Sequence, residues 1–507
     1  MAAGILSSRI AGLVRQRVFS HYFGLTAPAD AFVAAFRIPN FLNNLFGEGA
    51  LSASFIPVYA ALLARAERKE ADRVAGAVAS LLALAVSVVV LAGVLATPLL
   101  IDLIAPGFSG ATRDLTIVLV RILFPGAGLM VMSAWCLGVL NSHHRFLVSY
   151  AAPVVWNAAM IATLMVFGGT GDLSRLAVLL AWGSVAGSAL MFLVQLPIVR
   201  TLAPDLRFAL DTASGHVRTV VANFAPVLVS RGVVQLSGYI DTLIATFLGT
   251  GAVTALLNAQ TLGLLPVSLF GMSVSAAELP AMSGELGIDP ERTDALRRRL
   301  DAGLRQIAFF VVPSAMAFLA LGDVIAAALF QTGRFTHGDA VYVWGILAGS
   351  AVGLLASTLG RMYSSSYYAL RDTRTPLNYA IVRVGLTTGL GYLCALPLPI
   401  WLGIHPRWGA AGLTASAGVA GWVEMLLLRR TLNARIGRTG LTAAFVAKLW
   451  MSALAGAALA WLVKFVLPAM HPAFAAAFIL GTYGVVFFAA GLALRLPEAS
   501  AVISRLR

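Results

Sequence analysis

The chain has 507 residues, of which 59% are hydrophobic and only 11% are charged. Soluble domains carry about 25% charged residues, and the mean hydropathy here is +0.87, so the composition excludes a soluble globular protein and indicates a polytopic membrane protein. The formal net charge is +14, but the basic residues are scattered through short loops. This distribution favours anionic lipid headgroups over nucleic acid as binding partners.

Apolar segments of about 20 residues, punctuated by glycine, proline and charge, predict an all-α protein with fourteen membrane helices. The predicted helices cover residues 5–23, 31–64, 75–104, 114–140, 147–168, 175–199, 216–249, 252–283, 297–322, 338–369, 375–399, 408–429, 441–466 and 472–495. The second, seventh and tenth are longer than a straight span requires, so we expect tilts, kinks or extensions there. The N-terminus has no small-residue cleavage site, and we interpret it as the first membrane helix.

The loops between these helices predict the orientation of the chain in the membrane. If the N-terminus is cytoplasmic, the even-numbered loops carry 18 Lys and Arg residues and the odd-numbered loops carry five. Basic residues accumulate in the cytoplasmic loops of membrane proteins. We therefore expect both termini in the cytoplasm.

Two short basic turns echo each other and indicate an internal repeat. The turn after the fourth helix reads LNSHHRF and that after the tenth reads YYALRDTRTP, and a proline follows each, Pro153 or Pro376. Six helices separate the two turns, and an even number gives a parallel repeat. We predict two pseudo-symmetric six-helix lobes, 1–200 and 216–434, joined by a cytoplasmic linker at 201–215. Residues 435–507 then hold a C-terminal helix pair and a cytoplasmic tail.

The segment from residue 7 to residue 57 carries many charges for a membrane segment. It contains Arg9, Arg15, Arg37 and Glu48, and an arginine at the bilayer centre costs about 2.5–3.5 kcal/mol on insertion scales. Asn44 and Glu48 are four residues apart and share a face of the second helix. An internal polar cavity, in which these side chains face water, each other or a charged cargo, explains these charges. The alternative interpretation is that Glu48 only neutralises an arginine inside the bundle.

The first helix needs a special arrangement to bring its arginines together. Arg9 and Arg15 differ by about 120° around a helix axis, so both face one cavity only if the helix bends. Gly12 lies between them and predicts a bend or close packing there.

The second half of the chain has matching charged positions. Asp241 lies on a polar stripe of the seventh helix, Glu278 precedes a proline in the eighth, and Arg361 and Arg383 lie on the tenth and eleventh. Isolated serines on such stripes are more often packing groups than ligands. We predict that Arg361 and Arg383 line the cavity and that Asp241 and Glu278 are candidates for ion coupling.

Enzyme signatures are missing from the sequence. No lysine follows a glycine, which excludes a Walker-type phosphate loop, and there is no HExxH motif. The two cysteines, Cys136 and Cys394, each lie in an apolar run without metal-ligand neighbours, so we expect neither a metal site nor a disulfide framework. His143 and His144 fall in a turn, where we expect them to be solvated. The sequence favours a transporter over an enzyme.

Several blocks of the sequence resemble one family. They read, in order, SRIAGLVR, ADAFVAAFRIPN, FGEGALSASFIP, LNSHHRF, PVVWN, LFQTGRF and YYALRDTRTP. Together they resemble the MurJ/MviN family of lipid II flippases, within the multidrug/oligosaccharidyl-lipid/polysaccharide exporter (MOP) superfamily. The resemblance covers most of residues 7–380 and is most specific in its N-terminal block.

The resemblance implies a multi-pass flippase of the bacterial cytoplasmic (inner) membrane that acts in peptidoglycan biosynthesis and cell shape. It implies two six-helix lobes around a central cationic cavity, with a lipid-facing groove formed by the C-terminal pair. The cargo would be the undecaprenyl-diphosphate-linked precursor lipid II. The family's functional positions fall here on Arg9, Arg15, Asp30, Arg37 and Glu48. We assign gating or structural roles to Gly12, Asp30 and Pro39.

The chain departs from the family pattern at three positions. Gln16 replaces an acid, Asn44 stands where the family has a base, and Thr261 replaces an arginine of the eighth helix. We therefore predict that Arg37, Arg361 or Arg383 substitutes in binding the diphosphate, or that the cargo is a different lipid-linked glycan.

The predicted mechanism is alternating access without a cofactor. Arginine forks bind phosphate oxygens bidentately, and the membrane potential, Na⁺ or H⁺ would drive transport. Two alternatives keep the same architecture: a flippase for another polyprenyl-diphosphate-linked glycan, or a drug or ion antiporter of the superfamily. A third makes the protein a scaffold for cell-wall synthesis enzymes, which are also expected partners of a flippase.

Overall fold

The protein is known here from a computed structural model that describes residues 2–210, 214–275, 278, 290–370, 372–468 and 470–506. Within these residues, side chains are described except at 2–6, 48–49, 149, 225–238, 290–293 and 502–506. The described chain contains helices and short turns and no β-strand, which confirms the all-α prediction.

The helices follow one another with short connections. The first nine are α1 (Ala2–Phe23), α2 (Ala27–Phe46), α3 (Glu48–Ala64), α4 (Arg68–Leu95), α5 (Thr97–Ile104), α6 (Gly110–Ser142), α7 (Phe146–Phe167), α8 (Leu173–Leu202) and α9 (Gly215–Ala245). The next are α10 (Ala252–Pro266), which continues as a π-helix (Val267–Met272), α11 (Pro290–Phe330), α12 (His337–Ala369), α13 (Arg374–Ala395) and α14 (Pro397–Trp401). A 3₁₀ turn (Pro406–Trp408) precedes α15 (Gly409–Ile436), α16 (Ala443–Val466), α17 (Pro472–Ala493) and α18 (Pro497–Leu506).

Every segment that the sequence predicts as a membrane helix is helical over most of its described length. Twelve spans in the described part of the chain are long and apolar enough to cross a membrane, with α2–α3 and α13–α14 each forming one span. The helices α1 and α9 are not among the twelve. Fourteen membrane crossings therefore stay a prediction.

The chain forms two compact units, Met1–Thr254 and Ala255–Arg507. The first unit contains α9, which packs against α3. We predicted the two six-helix lobes and the 201–215 linker from an internal repeat, whereas these two units are defined by how compactly the chain packs. The division into lobes therefore stays a prediction.

Three of the predicted helices are broken in the structure: 375–399 divides at Leu396, and the other two lie in the first unit. The segment 31–64 divides at Gly47, whose N–H donates to the Asn43 carbonyl at 2.8 Å. A β-carbon at Gly47 would lie 2.1 Å from that carbonyl oxygen, so the break requires glycine. The segment 75–104 divides at Ala96. The sequence missed these breaks because apolar residues continue through them.

The core of the first unit packs large aromatic side chains between α3, α4 and α6. The indole of the fully buried Trp135 donates to the Ala75 carbonyl at 3.1 Å. The Tyr59 hydroxyl lies 2.9 Å from Nε2 of His143, so His143 is not simply solvated as the sequence suggested. Partial burial, together with the nearby Arg68 and His144, lowers the pKa of His143 below its ordinary value. The contact between Tyr59 and His143 thus links α3 to the turn after α6.

The core of the second unit depends on close helix packing. Gly353 of α12 and Gly418 of α15 meet backbone to backbone, and a β-carbon at Gly353 would lie 2.2 Å from the Cα of Gly418. Gly349, one turn earlier, meets the Ala411 carbonyl in the same way, at 2.3 Å. Small residues let membrane helices approach this closely and gain packing energy.

The C-terminal helices are fastened to α11 by polar contacts. Tyr483 of α17 donates to the Pro313 carbonyl at 2.6 Å, and Trp461 of α16 donates to the Ala320 carbonyl at 2.8 Å. The ammonium of Lys464 lies 2.5 Å from the carboxylate of Asp323. These contacts lie around Leu321, where α11 leaves helical geometry. The kink exposes backbone groups, and α16 supplies a partner for one of them.

Candidate functional site

Arg15 occupies the contact between α1 and α7 in the first unit. Its guanidinium carbon lies 4.8 Å from the ring centroid of Trp156, and Nη1 lies 3.7 Å from the thioether sulfur of Met160. Nε of Arg15 is buried and has no hydrogen-bond partner among the described residues. The charge is therefore stacked on a ring and bonded only to a weak acceptor, which leaves donors for an incoming anion.

Trp156 itself, on α7, is held by neighbours on α2 and α8. Its indole N–H donates to the Ser184 hydroxyl of α8 at 3.2 Å, and Phe36 of α2 stacks on it with centroids 5.5 Å apart. A β-carbon at Gly187 would lie 3.0 Å from the indole, so the missing side chain there makes room for the ring. The platform under Arg15 is thus built from α2, α7 and α8.

The other predicted positions of α1 do not join this arrangement. Arg9 is exposed on α1. The helix runs unbroken from Ala2 to Phe23, and a β-carbon at Gly12 would meet no atom within 4 Å. The described structure therefore shows no close packing at Gly12, and the predicted bend stays a prediction. Gln16, where the family has an acid, is buried.

Arg37 on α2 lies beside α9. Its guanidinium carbon is 6.0 Å from the ring centroid of Tyr239, and the Tyr239 hydroxyl donates to the Arg37 carbonyl at 2.6 Å. Asp241 lies close enough to act on the Arg37 charge electrostatically. The structure thus pairs the predicted ion-coupling residue Asp241 with a predicted phosphate-binding residue. Pro39, which we assigned a gating or structural role, is buried in α2.

The predicted face of Asn44 and Glu48 is interrupted by the break at Gly47. Asn44 is partly buried near the end of α2, whereas Glu48 is the first residue of α3. The assumption that one continuous helix places both residues on one face is therefore wrong. The side chain of Glu48 lies outside the described residues, so its predicted role stays a prediction.

Asp30 is buried on α2, and its carboxylate accepts hydrogen bonds from residues of the first unit. Its carboxylate is 2% exposed and accepts hydrogen bonds from the backbone N–H groups of Gly251 and Thr254, the latter at 2.8 Å. The Thr254 hydroxyl also donates to it, at 2.7 Å. Asp30 therefore caps the start of α10 from α2, which suits a negative charge at a helix N-terminus.

The second unit has its own charged cluster on α12, α13 and α15. Nη1 of Arg383 donates to Oε2 of Glu424 at 3.1 Å, with the Arg383 side chain 41% exposed and that of Glu424 13% exposed. Arg361 is exposed and lies within electrostatic range of both. The structure thus brings the two predicted arginines together and adds Glu424, which the sequence reasoning missed. One positive charge of the three groups is left unbalanced.

The remaining predicted positions lie apart from these clusters. Glu278 is ion-paired with Arg299 at 3.7 Å. The hydroxyl of Thr261, which replaces a family arginine, donates to the Leu257 carbonyl at 2.8 Å. Among the residues that the structure describes, no three His, Cys, Asp or Glu side chains cluster closely enough to hold a metal ion.

The sequence missed three side chains that shape these sites: Trp156, Met160 and Glu424. The block PVVWN contains Trp156 and was a signal of resemblance, but nothing in it indicated the contact with Arg15. A carboxylate inside an apolar helix was the signal that could have found Glu424.

The helical architecture, with twelve long apolar spans in the described part of the chain, is that of a polytopic α-helical membrane protein. The family model described as "Lipid II flippase MurJ" matches residues 19–493, and the chain belongs to this family of lipid flippases, which are transporters and not enzymes. It is accordingly a multi-pass protein of the bacterial inner membrane.

Relatives and solved structures agree with this placement. A lipid II flippase MurJ of Burkholderia cenocepacia is 32% identical over 437 residues, which cover 85% of this chain and 82% of the relative. A probable lipid II flippase MurJ of Vibrio cholerae is 30% identical and covers 91% of this chain and 87% of its own length.

Solved structures share the fold of this chain. A solved lipid II flippase MurJ in an inward closed conformation superimposes with a TM-score of 0.78 at 23% identity, over 97% of this chain and 98% of that structure. An inward-facing MATE multidrug transporter of the MOP superfamily superimposes with a TM-score of 0.65 at 18% identity, over 84% and 95%. These matches confirm the predicted all-α fold of many membrane helices.

Proposed function

We propose that this protein flips lipid II from the cytoplasmic to the periplasmic leaflet by alternating access, with Arg15 as a main ligand of the diphosphate. Membership of the lipid II flippase family supports the cargo. Superfamily transporters with this fold occur in inward-facing and outward-facing conformations, which supports alternating access. Both termini then lie in the cytoplasm.

The state of Arg15 carries the assignment of the phosphate site. Its guanidinium is partly buried, has no ion-pair partner among the described residues, and keeps Nε without a hydrogen bond. Charged hydrogen bonds contribute about 1.5–3 kcal/mol each, so a diphosphate that accepts from Nε and Nη gains what the protein itself does not supply. The thioether of Met160 is too weak an acceptor to compete.

Arg37, Arg361 and Arg383 are the proposed secondary ligands. Each lies near a carboxylate, Asp241 or Glu424, so cargo binding there must compete with an existing electrostatic partner. Arg9 is exposed on α1 and would meet the cargo at an outer position. Asn44 and Glu48 flank the break at Gly47 and are proposed to contact the polar headgroup.

The membrane potential suits an anionic cargo. Moving one charge across 100 mV changes the free energy by about 2.3 kcal/mol, so two negative charges moving outward from a negative interior gain about 4–5 kcal/mol. Coupling to Na⁺ or H⁺ through Asp241, Glu48 or Glu278 would add to this gradient. Anionic lipids at the cytoplasmic loops and cell-wall synthesis enzymes are the proposed partners.

Complementation of a flippase-depleted bacterial strain tests the role of Arg15. Arg15→Ala is expected to abolish growth while the protein still accumulates in the membrane, because the diphosphate loses its main donor. The matched control is Arg113→Ala, which removes an arginine paired with Asp102 on the surface. Normal growth with Arg15→Ala, or equal loss with both variants, would sink the assignment.

A further inference from the structure

The positive charge of Arg15 is compensated in the described chain without a carboxylate. No described acid forms an ion pair with it, and burying an arginine without compensation is costly. The described compensation is the face of Trp156, 4.8 Å from the guanidinium carbon. A cation over an indole within about 6 Å of the ring centroid is attracted by the negative π face.

Whether a carboxylate or an aromatic ring compensates the charge of Arg15 determines which N–H donors stay available for a ligand. An ion pair would occupy the N–H donors of the guanidinium, because carboxylates accept along its edge. A ring lies against the flat face and leaves the edge donors uncommitted. Among the described residues, the buried Nε has no hydrogen-bond partner and Nη1 donates only to the sulfur of Met160, which agrees with this.

The orientation of the Trp156 indole is fixed by a hydrogen bond and a stacking contact in addition to packing. Ser184 accepts its N–H at 3.2 Å, Phe36 stacks on it at 5.5 Å, and Gly187 makes space beside it. Trp156 and Met160 are four residues apart on α7, so one face of that helix carries both contacts to Arg15. The ring therefore has a defined orientation before any cargo arrives.

We propose that Trp156 is a positioning residue for the cargo site: its ring holds the Arg15 guanidinium with the edge donors presented to a diphosphate. This inference rests on the proposed function, since it assumes that Arg15 binds the cargo. Trp156 acts through Arg15 and need not touch the diphosphate. Its replacement is expected to weaken cargo binding by leaving the guanidinium without a fixed direction.

Two substitutions at Trp156 separate an aromatic platform from a space-filling residue. Trp156→Phe keeps a π face, and Trp156→Leu removes it while staying apolar. The probe is undecaprenyl diphosphate, bound to the purified full-length protein in lipid nanodiscs. Cation–π interactions of about 0.5–2 kcal/mol correspond to roughly 2-fold to 30-fold in affinity. We expect Trp156→Leu to lose affinity in this range and Trp156→Phe to keep most of the wild-type value.

A double-mutant cycle with Arg15→Ala tests whether Trp156 acts through Arg15. If it does, Trp156→Leu has no further effect on affinity once Arg15 is gone. An additive loss, or equal loss with Trp156→Phe and Trp156→Leu, would overturn the proposal. If Arg15→Ala binds undecaprenyl diphosphate like the wild type, the proposed function of Arg15 fails first. If Arg15→Ala lowers the affinity for undecaprenyl diphosphate but Trp156→Leu does not, the proposed role of Trp156 is overturned and that of Arg15 stands.

Discussion

The two compact units compensate the charge of a partly exposed arginine in different ways. In the first, Arg15 is stacked on the Trp156 ring with Nε unbonded, whereas in the second Arg383 is bonded to the Glu424 carboxylate at 3.1 Å. An aromatic ring compensates the positive charge and leaves the N–H donors of the guanidinium available. A carboxylate compensates the charge and also accepts hydrogen bonds from those donors. We therefore expect Arg15 to bind a ligand directly, whereas Arg383 must first break its hydrogen bond with Glu424.

The largest expected difference comes from replacing each arginine with lysine. Arg15→Lys loses the planar fork that binds phosphate bidentately, and we expect lipid II translocation to fall by at least about tenfold, or roughly 1.4 kcal/mol. Arg383→Lys keeps a cation for Glu424 and should stay within about twofold, because one exposed ion pair is worth less than 1 kcal/mol. Translocation rates in reconstituted vesicles measure both, and equal losses would remove the distinction.

A stability measurement separates Arg15 from a charge that is fully satisfied. Asp30→Ala leaves the N–H groups of Gly251 and Thr254 without their acceptor, which should cost about 2–3 kcal/mol of unfolding free energy. Arg15→Ala should cost much less, since the described structure gives Arg15 no strong hydrogen bond. Thermal unfolding of both variants in detergent provides the test, and a larger loss with Arg15→Ala would speak against an uncommitted guanidinium.

The Glu424 pair should contribute little to stability. The Arg383 side chain is 41% exposed, and exposed ion pairs are worth about 0.2–1 kcal/mol. We expect the Arg383→Ala and Glu424→Ala double-mutant cycle in thermal unfolding to give a coupling energy in that range. A coupling above about 2 kcal/mol would show that Arg383 is locked to Glu424 and cannot serve a cargo.

The smallest expected effect is at Arg113, in the first turn of α6. Arg113 forms a bidentate pair with Asp102, at 2.7 and 3.0 Å, on the exposed surface. Arg113→Ala should change unfolding free energy by no more than about 0.5 kcal/mol and leave translocation unchanged. A tenfold loss of translocation would mean that arginines contribute through overall charge and not through a defined site.

The sequence predicted the helical segments well because membrane spans need long apolar runs. It also predicted Arg15 and Asp30 as special positions, since charges are rare in such runs and motif blocks surround them. It did not predict the break at Gly47, because the residues on both sides are equally apolar and only the approach of the Asn43 carbonyl reveals it.

Partners of charged residues could not be predicted because they are distant in the chain. Met160 lies 145 residues from Arg15, and Glu424 lies 41 residues from Arg383. Spacing on one helix predicts which residues share a face, but it does not predict which neighbouring helix that face meets. For the same reason the sequence predicted several arginines as equivalent ligands, although their surroundings differ.

Arg15 is the proposed ligand through which this protein carries lipid II across the bilayer. The direct measurement is the appearance of labelled lipid II in the outer leaflet of vesicles that contain the purified protein, with a second polyprenyl-diphosphate-linked glycan as competitor. We predict that the wild type moves lipid II in preference to the second glycan and that Arg15→Ala moves neither above protein-free vesicles. Preference for the other glycan, or wild-type rates with Arg15→Ala, would contradict the account.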